Sequence, residues 1–152
     1  ALMKAALFLA VGAIFFRVGT VRLSDLAGIG RKMPLTMTAF TVACFGLVGT
    51  PGTSGFISKW YLALGALDQG WWWLVFLIVG SSLIALVYVG RVLEVAWLRE
   101  PSPAIAHASD PPLSMLLPLV VLAAATIYFG IDTEWTAGIA STASKALLGG
   151  LR

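Results

Sequence analysis

Long uncharged stretches restrict the fold of this sequence more than any other feature. No Asp, Glu, Lys or Arg occurs in residues 5–16, 33–58, 71–90 or 113–131. A helix needs about 20 mostly apolar residues to cross the ~30 Å hydrocarbon core of a bilayer. Apolar residues make up 59% of the chain and charged residues only 11%, too few for the polar coat of a soluble domain. The sequence therefore predicts an all-α integral membrane protein.

Four transmembrane helices and a tail are expected in a single membrane domain over residues 1–152. The helices should lie near residues 1–16, 34–67, 71–98 and 113–131, and the tail over residues 132–152. The first stretch begins without an initiator methionine and carries Lys4 inside it, whereas a signal peptide has its charge before the apolar stretch. We therefore expect a chain cut from a longer protein, which begins partway through a helix.

The Lys and Arg residues of the connections predict the orientation in the membrane, because short cytoplasmic connections carry an excess of them. Residues 17–33 contain four, residues 68–70 contain none, and two more lie at Arg91 and Arg99. Residues 17–33 and 99–112 are therefore expected on the cytoplasmic side of the cell (inner) membrane. Residues 68–70 and the tail are expected on the outer side. Three successive Trp residues follow the uncharged turn, which is typical of an outer interfacial belt.

Helix-breaking residues interrupt the second predicted span. Gly49, Pro51, Gly52 and Gly55 fall within seven residues. They would leave backbone groups of a membrane helix without intrahelical partners. Such a break is tolerated where protein or water satisfies those groups, and many transporters build ion sites at one. We expect a discontinuous helix near residues 49–55; a plain kink and a two-helix hairpin with an outer loop are the alternatives.

Lys59 lies close to the middle of the predicted membrane core. Nine residues separate it from Asp68, or ~13 Å at ~1.5 Å per residue. An ammonium at this depth costs at least ~2.5–3.5 kcal/mol, so it normally faces a polar cavity and marks an ion or proton path. The alternative is that the side chain extends to the outer interface beside Trp60 and Tyr61.

Other polar residues within the spans have candidate roles. Lys4 is a second candidate for proton translocation if its helix belongs to a longer span; otherwise it is a charge near a free end. Ser58 and Thr41 are candidate path-lining residues, although hydroxyls in membrane helices more often bond their own backbone. Arg91 and Glu94, three positions apart on a helix, are expected to form a local pair.

One pattern is typical of an enzyme. Residues 52–55 read G-T-S-G, the form that rhomboid-type intramembrane proteases use for their serine, here Ser54. Such a serine needs a base, and His107 falls in a Pro-flanked loop expected on the cytoplasmic side. Ser58 and Lys59 are neighbours on a helix and do not face each other. No catalytic residue, cofactor or metal site is therefore predicted, and scattered basic residues predict no nucleic-acid partner.

Three segments in order resemble the proton-conducting antiporter-like membrane subunits. They are ALMKAALFL with Lys4, DLAGIGRKMPLTMTAF from Asp25, and GTPGTSGFISKWYL from Gly49. That family includes the D subunit of Mrp-type cation/proton antiporters, to which GFISKWYL is more similar, and the pumping membrane-arm subunits of complex I. By this resemblance Lys4 matches the lysine of the family's H-x-x-x-K helix, and Lys59 the lysine after its broken helix. The histidine of that motif and the glutamate–lysine pair of the family's earlier helices are absent.

The resemblance implies a C-terminal fragment of one subunit of a multisubunit complex in the lipid bilayer. That complex would exchange protons for Na⁺ or K⁺, as an Mrp-type antiporter does. A proton-pumping subunit of NADH-quinone oxidoreductase (complex I), or of a related hydrogenase, is the alternative in the same class. A non-transporting membrane anchor or assembly fragment is the alternative of another class. The chain itself is expected to be no enzyme, so any redox chemistry would belong to partner chains.

Overall fold

The computed structural model describes residues 2–132 and, beyond them, Gly138, Thr142, Ala143 and Ala146. In this part of the chain every regular element is helical, which confirms the predicted fold class. The tail expected over residues 132–152 lies, apart from these few positions, outside the described residues. The helices are α1 (Leu2–Val18), α2 (Pro34–Val48), α3 (Ser54–Asp68), α4 (Trp72–Leu98) and α5 (Leu113–Ile131), with 3₁₀ turns at Ile29–Arg31 and Pro103–Ile105.

Two of the helices meet the length and composition of a membrane span on their own. They are α4, with 27 residues, and α5, with 19 residues; α2 is a shorter apolar helix. Large apolar side chains point outward along α4, among them Phe76 (77% exposed) and Val87 (74% exposed). An apolar exterior of this extent is typical of a surface that meets lipid or other membrane helices.

The predicted interruption of the second span lies between α2 and α3. Gly49 has φ 87° and ends α2, since its N–H and that of Thr50 turn back to the carbonyls of Gly46 (3.2 Å) and Phe45 (3.1 Å). This is the usual way in which a left-handed glycine closes a helix. Residues 49–53 form the gap. Gly55, which the sequence placed within the break, lies instead in the first turn of α3.

The contacts of α4 show that α2 and α3 follow each other along a single span. Ser82 of α4 contacts Lys59 of α3, whereas Trp97, farther along α4, donates to Thr41 of α2 (3.2 Å). Between these contacts α2 and α4 share a buried cluster of Cys44, Val48, Ala85 and Val89. Both halves therefore run antiparallel to α4, one after the other. In a hairpin they would run in opposite directions, so the hairpin alternative is wrong, as is a plain kink.

Small side chains allow three of the helices to pack closely. Alanines of α1, α2 and α5 meet around the fully buried Leu119. Small residues at the contacts are the common means of association between membrane helices, because they bring the backbones close together. The buried members of this cluster are Ala6, Ala10, Ala39, Ala43, Leu119 and Ala123.

The connections over residues 17–33 and 99–112 lie at the same end of the bundle. The Arg17 guanidinium donates to the Ser109 hydroxyl (2.8 Å) and to the Asp110 carbonyl (2.9 Å). The Asp110 carboxylate in turn accepts from the backbone N–H (3.1 Å) and hydroxyl (2.8 Å) of Thr36. It therefore caps the N-terminus of α2 from a distant part of the sequence. An alternating topology requires that these two connections share one side.

We predict that Gly55→Ala destabilises the protein, whereas Gly65→Ala on the same helix does not. A β-carbon at Gly55 would collide with the backbone carbonyl of Gly46, while one at Gly65 meets open space. Forcing extra volume into a close contact typically costs about 1–3 kcal/mol. Thermal unfolding in detergent measures the difference, and equal melting temperatures for the two variants would contradict the close packing of α3 on α2.

Candidate ion-translocation site

The Lys59 ammonium lies at the interruption between α2 and α3. Its Nζ donates to the backbone carbonyls of Leu47 (3.1 Å) and Val48 (2.8 Å) and to the Ser82 hydroxyl (2.7 Å). Three neutral oxygens from two helices thus surround one positive charge. The side chain reaches back along α3 towards α2 and does not extend outward beside Trp60, as the interfacial alternative would require.

The two carbonyls are free for Lys59 because of the residues that follow them. In an uninterrupted helix the Leu47 carbonyl would accept from the N–H of residue 51, but residue 51 is proline and has none. The Val48 carbonyl would accept from Gly52, which turns away with φ 87°. Helix C-termini carry a partial negative charge of about half an electron, so an ammonium is a favourable partner there.

Lys59 also borders a cleft between α3 and α4. The cleft has a volume of about 620 Å³, and its walls are mostly apolar side chains of these two helices. Within residues 2–132 no carboxylate pairs with Lys59. The ion pair that this region does contain joins Arg91 and Glu94 (2.9 Å), on the exposed surface of α4, and confirms the predicted local pair.

Lys4 lines a different cleft from Lys59. It is exposed on α1 and lines a space of about 370 Å³ with Leu7, Phe8, Val11 and Leu47. Leu47 therefore borders the Lys4 cleft and also gives its carbonyl to Lys59. The Lys4 ammonium has no hydrogen-bond or ion-pair partner in the described part of the chain.

The other predicted path-lining residues do not contact the Lys59 ammonium. The Ser58 hydroxyl is exposed and donates to the Ser54 carbonyl of its own helix (3.1 Å). The Thr41 hydroxyl donates to the Met37 carbonyl (2.7 Å) and accepts from Trp97. Both therefore follow the pattern in which a membrane hydroxyl bonds its own backbone. A role in lining a path stays a prediction for both residues.

Sequence reasoning missed Ser82, which supplies the shortest hydrogen bond to Lys59. The available signal was the Ser81-Ser82 pair in α4, which lies in the middle of the uncharged residues 71–90. Ser82 lies ten residues after Trp72, or ~15 Å into α4, which is the depth predicted for Lys59. The rotation of α4 that selects Ser82 over Ser81 is a property of the packing and is not visible in the sequence.

The structure also separates the two residues of the protease pattern. Ser54 follows the C-terminal end of α2, whereas His107 belongs to the connection that caps the N-terminal end of α2. The 15 residues of α2 span ~22 Å. His107 is therefore too far away to act as a base for Ser54.

These features together define a class of protein: a multi-pass α-helical membrane protein with a lysine bound at a discontinuous helix. A family model described as "NADH:quinone oxidoreductase/Mrp antiporter, TM" matches residues 1–85, more than half of the chain. The chain belongs to this family, which confirms the predicted resemblance.

Relatives come from both branches of the family. The chain is 42% identical over 88% of its length to the N subunit of the NADH-quinone oxidoreductase of Desulforudis audaxviator, of which it covers 29%. It is 29% identical over 97% of its length to the D subunit of the Na⁺/H⁺ antiporter of Bacillus subtilis, of which it covers 30%. The structure of the Mrp complex from Dietzia sp. DQ12-45-1b matches with a TM-score of 0.84 and 26% identity, over 95% of this chain and 35% of that chain. The chain thus spans about a third of the length of these relatives.

We predict that Ser82→Ala lowers the stability of the protein and that Ser81→Ala does not. Both hydroxyls donate to the Ile78 carbonyl, but only that of Ser82 accepts from Lys59. A hydrogen bond to a charged group contributes about 1.5–3 kcal/mol. Chemical unfolding in detergent compares the two variants, and a matching midpoint for both would mean that the Lys59–Ser82 bond contributes nothing.

Proposed function

We propose that the complete subunit containing this chain translocates protons and a monovalent cation across the cell membrane, with Lys59 as a proton carrier. One observation carries the proposal: a single positive charge lies inside a membrane span, bound to neutral oxygens at a helix interruption. Ionisable groups at such positions are costly and are typical of ion and proton paths. Since no carboxylate of residues 2–132 fixes the charge of Lys59, loss of its proton leaves no uncompensated negative partner among them.

The favoured form of this function is Mrp-type Na⁺(K⁺)/H⁺ antiport. Its support is the similarity in fold to the Mrp complex and in sequence to the D subunit of an antiporter. Proton pumping in NADH-quinone oxidoreductase is the second candidate, supported by the 42% identity to the N subunit of such an enzyme. Both candidates use Lys59 in the same way and differ in what drives the proton. A non-transporting anchor is the remaining alternative, in which the Lys59 contacts serve only to stabilise the interruption.

Lys4 is the second translocating residue of the proposal. Leu47 links the two lysines, because it lines the Lys4 cleft and its carbonyl accepts from the Lys59 ammonium. A proton released from one lysine could reach the other through water in these clefts. Lys4 is exposed on α1, so the groups that complete its surroundings would come from other helices of the subunit or from neighbouring subunits. The break residues Gly49, Pro51 and Gly52 contribute by leaving the last carbonyls of α2 without backbone donors. Gly55 contributes by allowing α3 to pack closely against α2.

The proposal places the chain in a multisubunit complex of the inner membrane. The connections over residues 17–33 and 99–112 face the cytoplasm, while residues 68–70 and the tail face outward. The orientation rests on the basic residues of the first connection. The contacts of Arg17 with Ser109 and Asp110 support the placement of both connections on one side of the membrane, whichever side that is.

We predict that Lys59→Ala in the complete subunit abolishes ion-driven proton movement, because the carrier of the proton is lost. Inverted membrane vesicles with a pH-sensitive dye measure the response to added Na⁺ or K⁺ salt and, separately, to NADH. A salt response in the wild type identifies the antiporter and a response confined to NADH identifies the oxidoreductase. Lys32→Ala, an exposed lysine in the connection, is the matched control and should retain the response. A Lys59→Ala variant that matches the wild type would leave only the structural role.

The orientation predicts which cysteine substitutions a membrane-impermeant maleimide can reach. His107→Cys should react in inverted vesicles and not in intact cells with a permeabilised outer layer, whereas Gln69→Cys should react in the opposite way. Cys44 is buried in the bundle and is expected to stay unlabelled in both. The same labelling pattern for both substituted cysteines would contradict the alternating topology, and the reverse pattern would invert the orientation.

A further inference from the structure

We propose that the three oxygens that hold the Lys59 ammonium also form a binding site for an alkali cation, Na⁺ or K⁺, which enters when the lysine leaves. The carbonyls of Leu47 and Val48 and the Ser82 hydroxyl all lie within 3.1 Å of one point, the Nζ atom. An ammonium and an alkali cation carry the same charge, and the size of K⁺ is close to that of an ammonium group. The position that Nζ occupies is therefore one that an alkali cation can occupy with the same ligands.

The chemistry of the three ligands selects a single positive charge. All three are neutral oxygens, and two of them are carbonyls at the end of a half-helix that no backbone N–H of the helix satisfies. Backbone carbonyls replace the hydration shell of K⁺ in selectivity filters, and carbonyls of broken helices coordinate Na⁺ in transporters. Ca²⁺ and Mg²⁺ bind through carboxylates, and no carboxylate contacts these ligands within residues 2–132. The partial negative charge of the α2 C-terminus supplies the remaining attraction.

Space for the exchange lies directly beside the ligands. The cleft of about 620 Å³ is lined by Lys59, Ser82 and the break residues Gly49, Thr50 and Pro51. Its volume is large enough for the displaced lysine side chain, and water that completes the coordination of the cation would be held at these polar groups. The four-carbon stem of a lysine is flexible enough for this movement. The Lys4 cleft, by contrast, has a single lysine and apolar side chains on its walls, with no converging side-chain oxygens among the residues that line it.

The exchange conserves charge at the site. The Lys59 ammonium gives one proton to a water molecule in the cleft, and becomes a neutral amine while the water becomes hydronium. The neutral amine has lost the electrostatic attraction to the carbonyls and moves into the cleft. One cation then takes its place between the same three oxygens. This inference rests on the proposed function only in requiring that Lys59 releases its proton reversibly; the cation site itself is defined by the oxygens.

Equilibrium binding of radioactive sodium and rubidium ions to the purified complex tests the proposal, with rubidium as the tracer for K⁺. Proton and cation compete in the wild type, so the apparent affinity should rise up to about tenfold per pH unit while Lys59 is protonated. Lys59→Ala vacates the site, and its cation binding should be independent of pH in this range. Adding Ser82→Ala to that variant should lower the affinity about tenfold or more, since a charged contact is lost, whereas adding Ser81→Ala should not.

The proposal would be overturned if the two double variants bound the cation with equal affinity. It would also be overturned if Lys59→Ala kept the pH dependence of cation binding that the wild type shows. If Lys59→Ala does not assemble, the comparison uses the single variants Ser82→Ala and Ser81→Ala. Ser82→Ala must then bind the cation more weakly than Ser81→Ala at alkaline pH, and equal affinities would overturn the proposal. The vesicle assay separates the two levels of inference. Transport that is lost in Lys59→Ala without these binding changes refutes the cation site alone. Binding changes with normal transport refute the carrier role of Lys59 and leave the site.

Discussion

The rest of this structure depends on the hydrogen bonds from the Lys59 ammonium to the last carbonyls of α2. A helix that ends inside a membrane needs hydrogen-bond donors for its terminal carbonyls, because lipid supplies none. Pro51 removes the N–H that the Leu47 carbonyl would use, and the left-handed Gly52 turns away from the Val48 carbonyl. Lys59 satisfies both carbonyls with one charge, and they in turn compensate part of its cost of burial. The break and the half-buried charge therefore stabilise each other, and neither would be tolerated as well alone.

This arrangement requires close packing around the break, which glycines permit. Gly55 brings the first turn of α3 against the Gly46 carbonyl, and Gly130 brings the end of α5 against Thr53 in the gap. Met3 of α1 fills the remaining side of Gly46. Because α1, α2, α3 and α5 all meet at one place, the interruption is a fixed part of the packed bundle. A cleft remains on the α4 side, which is the side where Lys59 meets Ser82.

The sequence was sufficient to predict an all-helical fold and the interruption near residues 49–55, because each depends on residue type and spacing along the chain. Pro51 and the absence of charge over residues 33–58 needed no knowledge of neighbouring helices. Ser82 could not be predicted, since successive residues of a helix point about 100° apart and packing alone decides which hydroxyl faces α3. The position of Gly55 inside α3 was missed for a related reason. Thr53 adopts an extended backbone and starts the new helix earlier than the glycine spacing indicates.

The half-helix α2 has an oppositely charged side chain at each of its two ends. The Asp110 carboxylate binds the N-terminal end of α2 through Thr36, and Lys59 binds the C-terminal end through the carbonyls of Leu47 and Val48. Each charge lies at the end where the helix dipole favours it. The contribution of a charge to this dipole falls off within the terminal turn. Under the proposed function, release of a proton from Lys59 would weaken its hydrogen bonds to the last carbonyls of α2, while Asp110 would still bind the opposite end through Thr36. In the proposed mechanism, a change at Lys59 therefore acts on the C-terminal end of α2 and leaves the contacts of its N-terminal end unchanged.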